Sequence, residues 1–257
     1  MQARRSFTLV ELLVVISIIA LLIAIMMPAL RKARWQAKAT YCMNNLRGLG
    51  TAVNLYLNEE EERLPSSAAF AHYGGGAQGS WFRGLQEFYG NPLIARCPAD
   101  RCKYWSVPVK DIISNAERAL GIDGLRHVSY ALNYYLVKAT RDPMTGKSRG
   151  PYNRLGMVRW PHATVYFVEL GDDPDFAAAD HIHPEAWPNL GSNANVMQKV
   201  DREVAYRRHF DQANYGFVDG HVERLSFGDT FKVDWDATYT QMRFVWIHNM
   251  YDPLVAR

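Results

Sequence analysis

Net charge is scarce in this sequence: 29 Lys and Arg stand against 26 Asp and Glu, leaving +3 over 257 residues. So balanced a chain offers no electrostatic footprint for a polyanion, which excludes nucleic-acid binding as an expectation. Cysteine is scarce too. Cys42, Cys97 and Cys102 are an odd number, so at most one intrachain disulfide can form. Cys97-x4-Cys102 has no second close pair beside it, which argues against a zinc ribbon. A glycine-rich phosphate loop, a nucleophile elbow and an internal repeat are all missing. Aromatics are plentiful, with 7 Trp, 14 Tyr and 11 Phe, so core material is not short.

What the chain does have begins at its start. Arg4 and Arg5 precede a run from Phe7 to Leu30, 24 residues long, and from Leu12 to Met27 only Ser17 is not apolar. As a helix the run spans about 36 Å, enough to cross a bilayer core with some tilt. Glu11 sits inside it, and a carboxylate there costs a few kcal/mol or more. An ordinary secretory signal peptide fits poorly, because Glu11 interrupts the apolar core and no small-x-small site follows. A plain signal anchor gives Glu11 no purpose. Flanking charge does not settle orientation, since Arg31, Lys32, Arg34 and Lys38 crowd after the span.

The periodicity continues beyond the membrane-length run. Trp35, Ala39, Cys42, Leu46, Leu49, Val53 and Tyr56 or Leu57 recur at spacings of three and four, one apolar stripe of a helix. Arg34, Lys38, Asn45, Arg47 and Asn54 are assigned to the opposite side. One helix is therefore expected from Phe7 to about Asn58, interrupted only by Pro28, which should kink or locally melt it. Gly48 and Gly50 predict close packing against a sheet. Glu59–Glu62 reads as a solvated turn before Pro65 in preference to a cation or partner site.

From Pro65 onward turn residues and short β-like runs dominate. Gly74-Gly75-Gly76 and Asp142–Pro151 read as loops, Val128–Val137 and Thr164–Leu170 as strands. Asp219-Gly220, between Tyr215–Val218 and His221–Arg224, predicts a two-residue type I′ hairpin pairing Phe217 with Val222 and Val218 with His221. The expected fold class is α+β: a long N-terminal helix packed on a globular head with an antiparallel sheet.

Arg4-Arg5-Ser6-Phe7-Thr8-Leu9-Val10-Glu11 with its apolar run and Pro28 resembles the processing site of the type IV pilin and type II secretion pseudopilin superfamily. The resemblance implies that a membrane aspartic peptidase cuts between Ser6 and Phe7 and that the new amine of Phe7 is methylated. Loss of Arg4 and Arg5 then lowers the side-chain balance from +3 to +1. Glu11 matches the family's acidic residue and Pro28 its proline; Ser6 departs from the usual glycine before the cut. The implied organisation is a leader at 1–6, a transmembrane half-helix at 7–30, an amphipathic half at 31–58 and a pilin-like head at 59–257. The implied location is the inner membrane, single-pass with the head outside the cytoplasm, followed by a pilus or a secretion pseudopilus. Implied partners are other pilin or pseudopilin subunits, the prepilin peptidase and methyltransferase, an inner-membrane assembly platform and membrane lipid.

Further along, His209, Asn214, Phe217, Asp219-Gly220 and His221 resemble the C-terminal His-x9-Asp-Gly signature of a large pseudopilin-like group. Cys42-Met43-Asn44-Asn45-Leu46, Cys97-Pro98-Ala99-Asp100 and Ser129–Asn133 resemble pieces of the same group. The resemblance implies no role for the signature.

His209, Asp219 and His221 are the residue types of a metal or acid–base site. A turn at 211–214 would leave His209 and Asp219 roughly 10 Å apart along a strand, and Asp219 has a local task in its turn, so structural roles are expected. In Asp180-His181-Ile182-His183-Pro184-Glu185 an extended chain would point both histidines to one face, whereas Pro184 and Pro188 favour a loop. Pairing among Cys42, Cys97 and Cys102 stays open between Cys97–Cys102, Cys42–Cys97 and free thiols. Trp81, Trp105, Trp160 and Trp187 read as core in preference to a sugar-binding surface. The expectation is a non-enzymatic fibre subunit with no cofactor and no metal. The rival is a tethered exported domain that binds a ligand or hydrolyses a substrate through His209, Asp219 and His221.

Overall fold

The computed structural model describes residues 8–65, 81–105, 126, 128–141, 146–177, 179–235 and 244–256. The expected cut between Ser6 and Phe7, the loop Gly74–Gly76 and residues 142–145 of the second loop lie outside them. Helix α1 runs Leu9–Glu59, 51 residues, and is continuous through Pro28. Pro28 removes one backbone donor, and the turns on both sides hold without it, so the expected local melting does not occur. Beyond the helix Glu61 and Glu62 adopt left-handed backbone and turn the chain, and all four glutamates are solvated as expected.

The apolar stripe is where the periodicity predicts it. Ala39, Cys42, Leu46, Leu49, Val53 and Leu57 are buried, and Trp35 and Tyr56 pack partly against the same core. Each large aliphatic here contributes about 1.5–3 kcal/mol relative to exposure. Asn45 is the correction: it is buried on the core side, where its amide donates to the Arg96 carbonyl (2.9 Å) and the Tyr130 hydroxyl (3.2 Å). The sheet and the segment after Leu93 wrap further round α1 than a narrow stripe implies, and the two acceptors make a buried amide tolerable.

The head adds α2 (Trp81–Gly84), α3 (Gln86–Tyr89), β1 (Tyr130–Asn133), β2 (Thr140–Arg141), β3 (Ser148–Arg149), β4 (Val165–Glu169) and β5 (His181–Ile182). These are followed by α4 (Asn193–Glu203), β6 (Ala213–Phe217), β7 (Val222–Leu225), α5 (Phe227–Thr230), β8 (Phe231–Trp235) and β9 (Phe244–Asn249). The main sheet has the order β5-β1-β4-β6-β7. Its pairings are antiparallel except β1 with β5, which is parallel, so the sheet is mixed and not purely antiparallel. The chain leaves β4, crosses over and returns beside β1, with the Leu132 amide donating to the Asp180 carbonyl. The expected strand Val128–Val137 is shorter than its apolar run, because Tyr134–Leu136 coil into a tight turn capped by the Asn133 side chain.

Every residue of β4 is buried, because both faces of the sheet are covered. Tyr130, Leu132, Tyr166, Phe167 and Val222 face α1. Ala131, Val168 and Tyr215 face the other way, toward α4 and the segment Phe227–Val233. An irregularity between Val165 and Phe167 lets the adjacent Tyr166 and Phe167 both reach the α1 side.

The β6–β7 hairpin forms with a register one residue away from the expected one. Gly216 pairs with Val222, and the Phe217 amide donates to the His221 carbonyl, so the loop is Val218-Asp219-Gly220. Gly220 takes a left-handed φ of 93°, which closes a three-residue loop instead of a two-residue turn. The shift changes faces: Val218 and Val222 both join the core under α1, while His221 stacks on Phe217 with ring centroids 4.2 Å apart. Gly50 meets this loop closely, as predicted, whereas Gly48 faces the Ile94 side chain and no strand.

Candidate functional site

Two regions concentrate what is unusual. The first is the N-terminal half of α1. Thr8 caps the helix: its hydroxyl accepts from the Glu11 amide at 3.3 Å, and its own amide donates to the Glu11 carboxylate at 2.9 Å. This is a reciprocal capping box, and the Thr8-x-x-Glu11 spacing is its sequence signal, so Glu11 has a local role in the helix start besides its charge. The Ser17 hydroxyl donates to the Leu13 carbonyl and so leaves no unsatisfied donor. The most apolar window of α1 has mean hydropathy 3.1 with none of it buried, and the helix is long enough to cross a membrane. A ridge of exposed Leu, Ile, Val and Met this long needs lipid or other apolar helices around it.

The second region is a buried polar junction that fastens the other half of α1 to the head. Cys42 of α1 is disulfide-bonded to Cys97, with Cα atoms 5.1 Å apart, and Cys102 is a buried free thiol. Next to the bridge, His209 Nε2 lies 2.9 Å from Glu169 Oε1 and 3.7 Å from Cys97 Sγ. Asn214 completes the arrangement: its side-chain amide donates to Glu169 and to the Ala39 carbonyl, at 3.2 Å each. His209 reaches the core because the chain bends sharply after it. Phe210 and Asp211 both have left-handed backbone, and the His209 amide donates to the Gln212 carbonyl. A phenylalanine in that region costs about 1–2 kcal/mol. It turns Phe210 outward against Trp35 of α1, in edge contact at 6.3 Å.

Asp100 extends the junction. It pairs with Arg126 at 3.0 Å, both side chains fully buried, accepts from the Ser129 hydroxyl at 2.6 Å and from the Cys102 amide at 2.9 Å. Burial pushes the Asp100 carboxyl up, but Arg126, Arg208 and these hydrogen bonds outweigh it and hold it below the ordinary carboxylate range. Arg126 also donates to the Gly171 and Leu170 carbonyls, and Arg208 to Leu170 and to Asp172. Burial lowers the Arg208 guanidinium, and Asp100, Glu169 and Asp172 more than restore it. The segments beginning at Cys42, Cys97 and Ser129 thus converge with His209 and Asn214 on one junction, which spacing alone did not reveal.

Asp219-Gly220-His221 lies elsewhere. Asn214 reaches α1 at Ala39, while Gly220 rests on Gly50, about 16 Å further along the helix. The structure does not bring His209, Asp219 and His221 together as a catalytic or metal-binding set, so the rival reading loses its site. Asp219 instead accepts from the His221 amide at 3.1 Å and contacts its Nδ1 at 2.5 Å, the local turn role expected of it. In the histidine-rich segment, His181 and His183 do point to one side, with rings 4.9 Å apart and both against Tyr134. A carboxylate holds each Nδ1: Asp180 for His181 and Glu185 for His183, both at 2.8 Å. Trp81 and Trp187 are core, and their indoles donate to the Asp180 carbonyl and the Glu203 carboxylate. Trp105 is partly buried, and Trp160 is exposed, contrary to expectation.

Residues 1–27 match the prokaryotic N-terminal methylation motif. Together with the apolar helix, the match supports a prepilin-type N-terminus of the type IV pilin and pseudopilin kind, carried ahead of an α+β head. The match ends at Met27 and reaches neither His209 nor Asp219-Gly220. No curated protein and no solved structure matches the chain.

Proposed function

We propose that this protein is a structural subunit of a type IV pilus-like or secretion-pseudopilus fibre, cut between Ser6 and Phe7 and methylated on the Phe7 amine. The observation that carries this reading is the motif at 1–27 leading into a helix whose apolar half is wholly uncovered and holds one carboxylate, Glu11. The chain inserts through residues 7–30 into the inner membrane with its head outside the cytoplasm. In a fibre the same surface packs against neighbouring subunits. The Glu11 carboxylate is held at Thr8, the residue that follows Phe7 in the sequence, and pairs with the freed ammonium of an adjacent subunit inside the bilayer, where leaving either charge unpaired is costly. Pro28 reduces backbone bonding late in the span and eases lateral packing. Subunits, the prepilin peptidase and methyltransferase, the assembly platform and lipid are the partners; the head does no chemistry of its own.

Glu11→Ala in the native host tests this. The variant should be cut and remain in the membrane yet be missing from sheared fibres or pseudopilus cross-links. Incorporation at the wild-type level would overturn the assembly role.

A further inference from the structure

The sulfurs of Cys42 and Cys97, a carboxylate oxygen of Glu169 and a ring nitrogen of His209 all lie within 4.8 Å of one another, and all four residues are buried. Two thiolates, an imidazole and a carboxylate form a donor set suited to zinc and similar borderline cations. We propose that the disulfide and a zinc-type divalent cation are alternative occupants of this junction. Oxidised, Cys42–Cys97 staples α1 to the head covalently; reduced, the same four side chains hold a cation that staples it by coordination.

The geometry is close to what a tetrahedral site needs. With standard metal–ligand distances the nitrogen–oxygen edge is about 3.3 Å and the nitrogen–sulfur edge about 3.5 Å. Here His209 Nε2 lies 2.9 Å from Glu169 Oε1 and 3.7 Å from Cys97 Sγ. The nitrogen–oxygen edge must open by about 0.4 Å and the two sulfurs must part to about 3.8 Å, while all four donors already lie within 4.8 Å of one another. The surroundings already orient the ligands. Asn214 holds the Glu169 carboxylate through its backbone amide (3.4 Å) and its side chain (3.2 Å), and the Cys97 amide donates to the Ser129 hydroxyl at 2.9 Å. Two thiolates and a carboxylate around a dication leave one negative charge, and buried Arg208 lies within electrostatic reach of Glu169 to offset it. Coordination through Nε2 requires the neutral imidazole tautomer that carries its proton on Nδ1.

The exchange balances. A dithiol reductant gives two electrons and closes its own disulfide, the Cys42–Cys97 bond breaks, and two thiols form. Each thiol loses its proton as the cation binds. A disulfide-forming oxidant such as oxidised glutathione removes the two electrons, the sulfur–sulfur bond re-forms and the cation leaves.

The test uses the full-length protein in detergent, reduced with dithiothreitol, desalted anaerobically and titrated with cobalt(II). The proposal expects one cobalt per chain, with the visible bands of tetrahedral cobalt and sulfur-to-cobalt charge transfer. It also expects no such bands in the oxidised protein and discharge of cobalt by oxidised glutathione. Cys42→Ser/Cys97→Ser should abolish the bands, and His209→Ala should shift them. Equal uptake by oxidised and reduced protein, or by the reduced wild type and the double-serine variant, would overturn it, as would an unchanged spectrum in His209→Ala. If reduction alone unfolds the head, near-ultraviolet circular dichroism decides. Recovery on adding cobalt supports the site, and a signal that stays lost overturns it.

Discussion

Gly50 of the long helix and Gly220 of the β6–β7 loop meet backbone to backbone: a methyl group at Gly50 would stand 2.8 Å from the Gly220 carbonyl oxygen and 3.0 Å from its Cα. Backbone on both sides cannot step aside as a side-chain tip can. The contact fixes how far along α1 the sheet is seated, and so how much of the helix is left uncovered for the membrane.

Gly50→Ala should therefore destabilise the head. Overpacking costs about 1–3 kcal/mol, and alanine's better helix propensity returns up to about 1 kcal/mol. The net loss should appear as a lower thermal midpoint of the detergent-solubilised protein. Gly84→Ala, which meets nothing within 4 Å, is the control and should leave the midpoint in place.

Asn45→Ala should cost about 1–3 kcal/mol, because it leaves the Tyr130 hydroxyl and the Arg96 carbonyl without their buried donor. Arg47→Ala, on the exposed side two residues later, should stay within about 0.5 kcal/mol. Chemical denaturation of the two variants separates these outcomes, and equal effects would place Asn45 on the solvated face.

Acid should loosen the junction. The Asp100 carboxyl titrates below its ordinary value in the folded protein, so it contributes stability above about pH 4 that is lost as pH falls through the lower, folded value. Thermal midpoints should drop in that acid range. Asp100→Asn should flatten this dependence while costing about 3–5 kcal/mol at neutral pH, since it leaves Arg126 buried without its counter-charge. An acid limb unchanged in Asp100→Asn would assign the effect to another group.

Reduction in the presence of a chelator should lower stability by about 4 kcal/mol, the chain-entropy value for a bridge closing a 55-residue loop. Cys102→Ser should not reproduce the loss, because Cys102 is a free thiol. Denaturant midpoints of the two samples give the comparison.

Most of the helix was legible because its signals are local. An apolar run of membrane length and a stripe at spacings of three and four placed α1 within two residues at its N-terminal end and one at its C-terminal end. The strand at Val165–Glu169 was legible for the same reason. Asn45 was misplaced because polarity says which residues favour water, not how far a sheet wraps round a helix. The hairpin register was missed because Asp219-Gly220 serves a three-residue loop as readily as a two-residue one, and the burial of Val218 beneath α1 decides between them. The buried junction was the least legible. Cys42, Cys97, Asp100, Ser129, Glu169, His209 and Asn214 come from six separate segments, and only the seating of the sheet on α1 brings them together. Glu169, its central carboxylate, carries no sequence signal beyond being the one charge at the end of an apolar strand.

Whether this chain is a processed prepilin-type subunit is decided by mass spectrometry of its N-terminal peptide, from protein taken from its native membrane. A processed subunit begins at Phe7 with a methylated amine, Ser6 having been accepted before the cut. A peptide that begins at Met1 or Gln2 would contradict that reading and leave residues 7–30 as a plain membrane anchor.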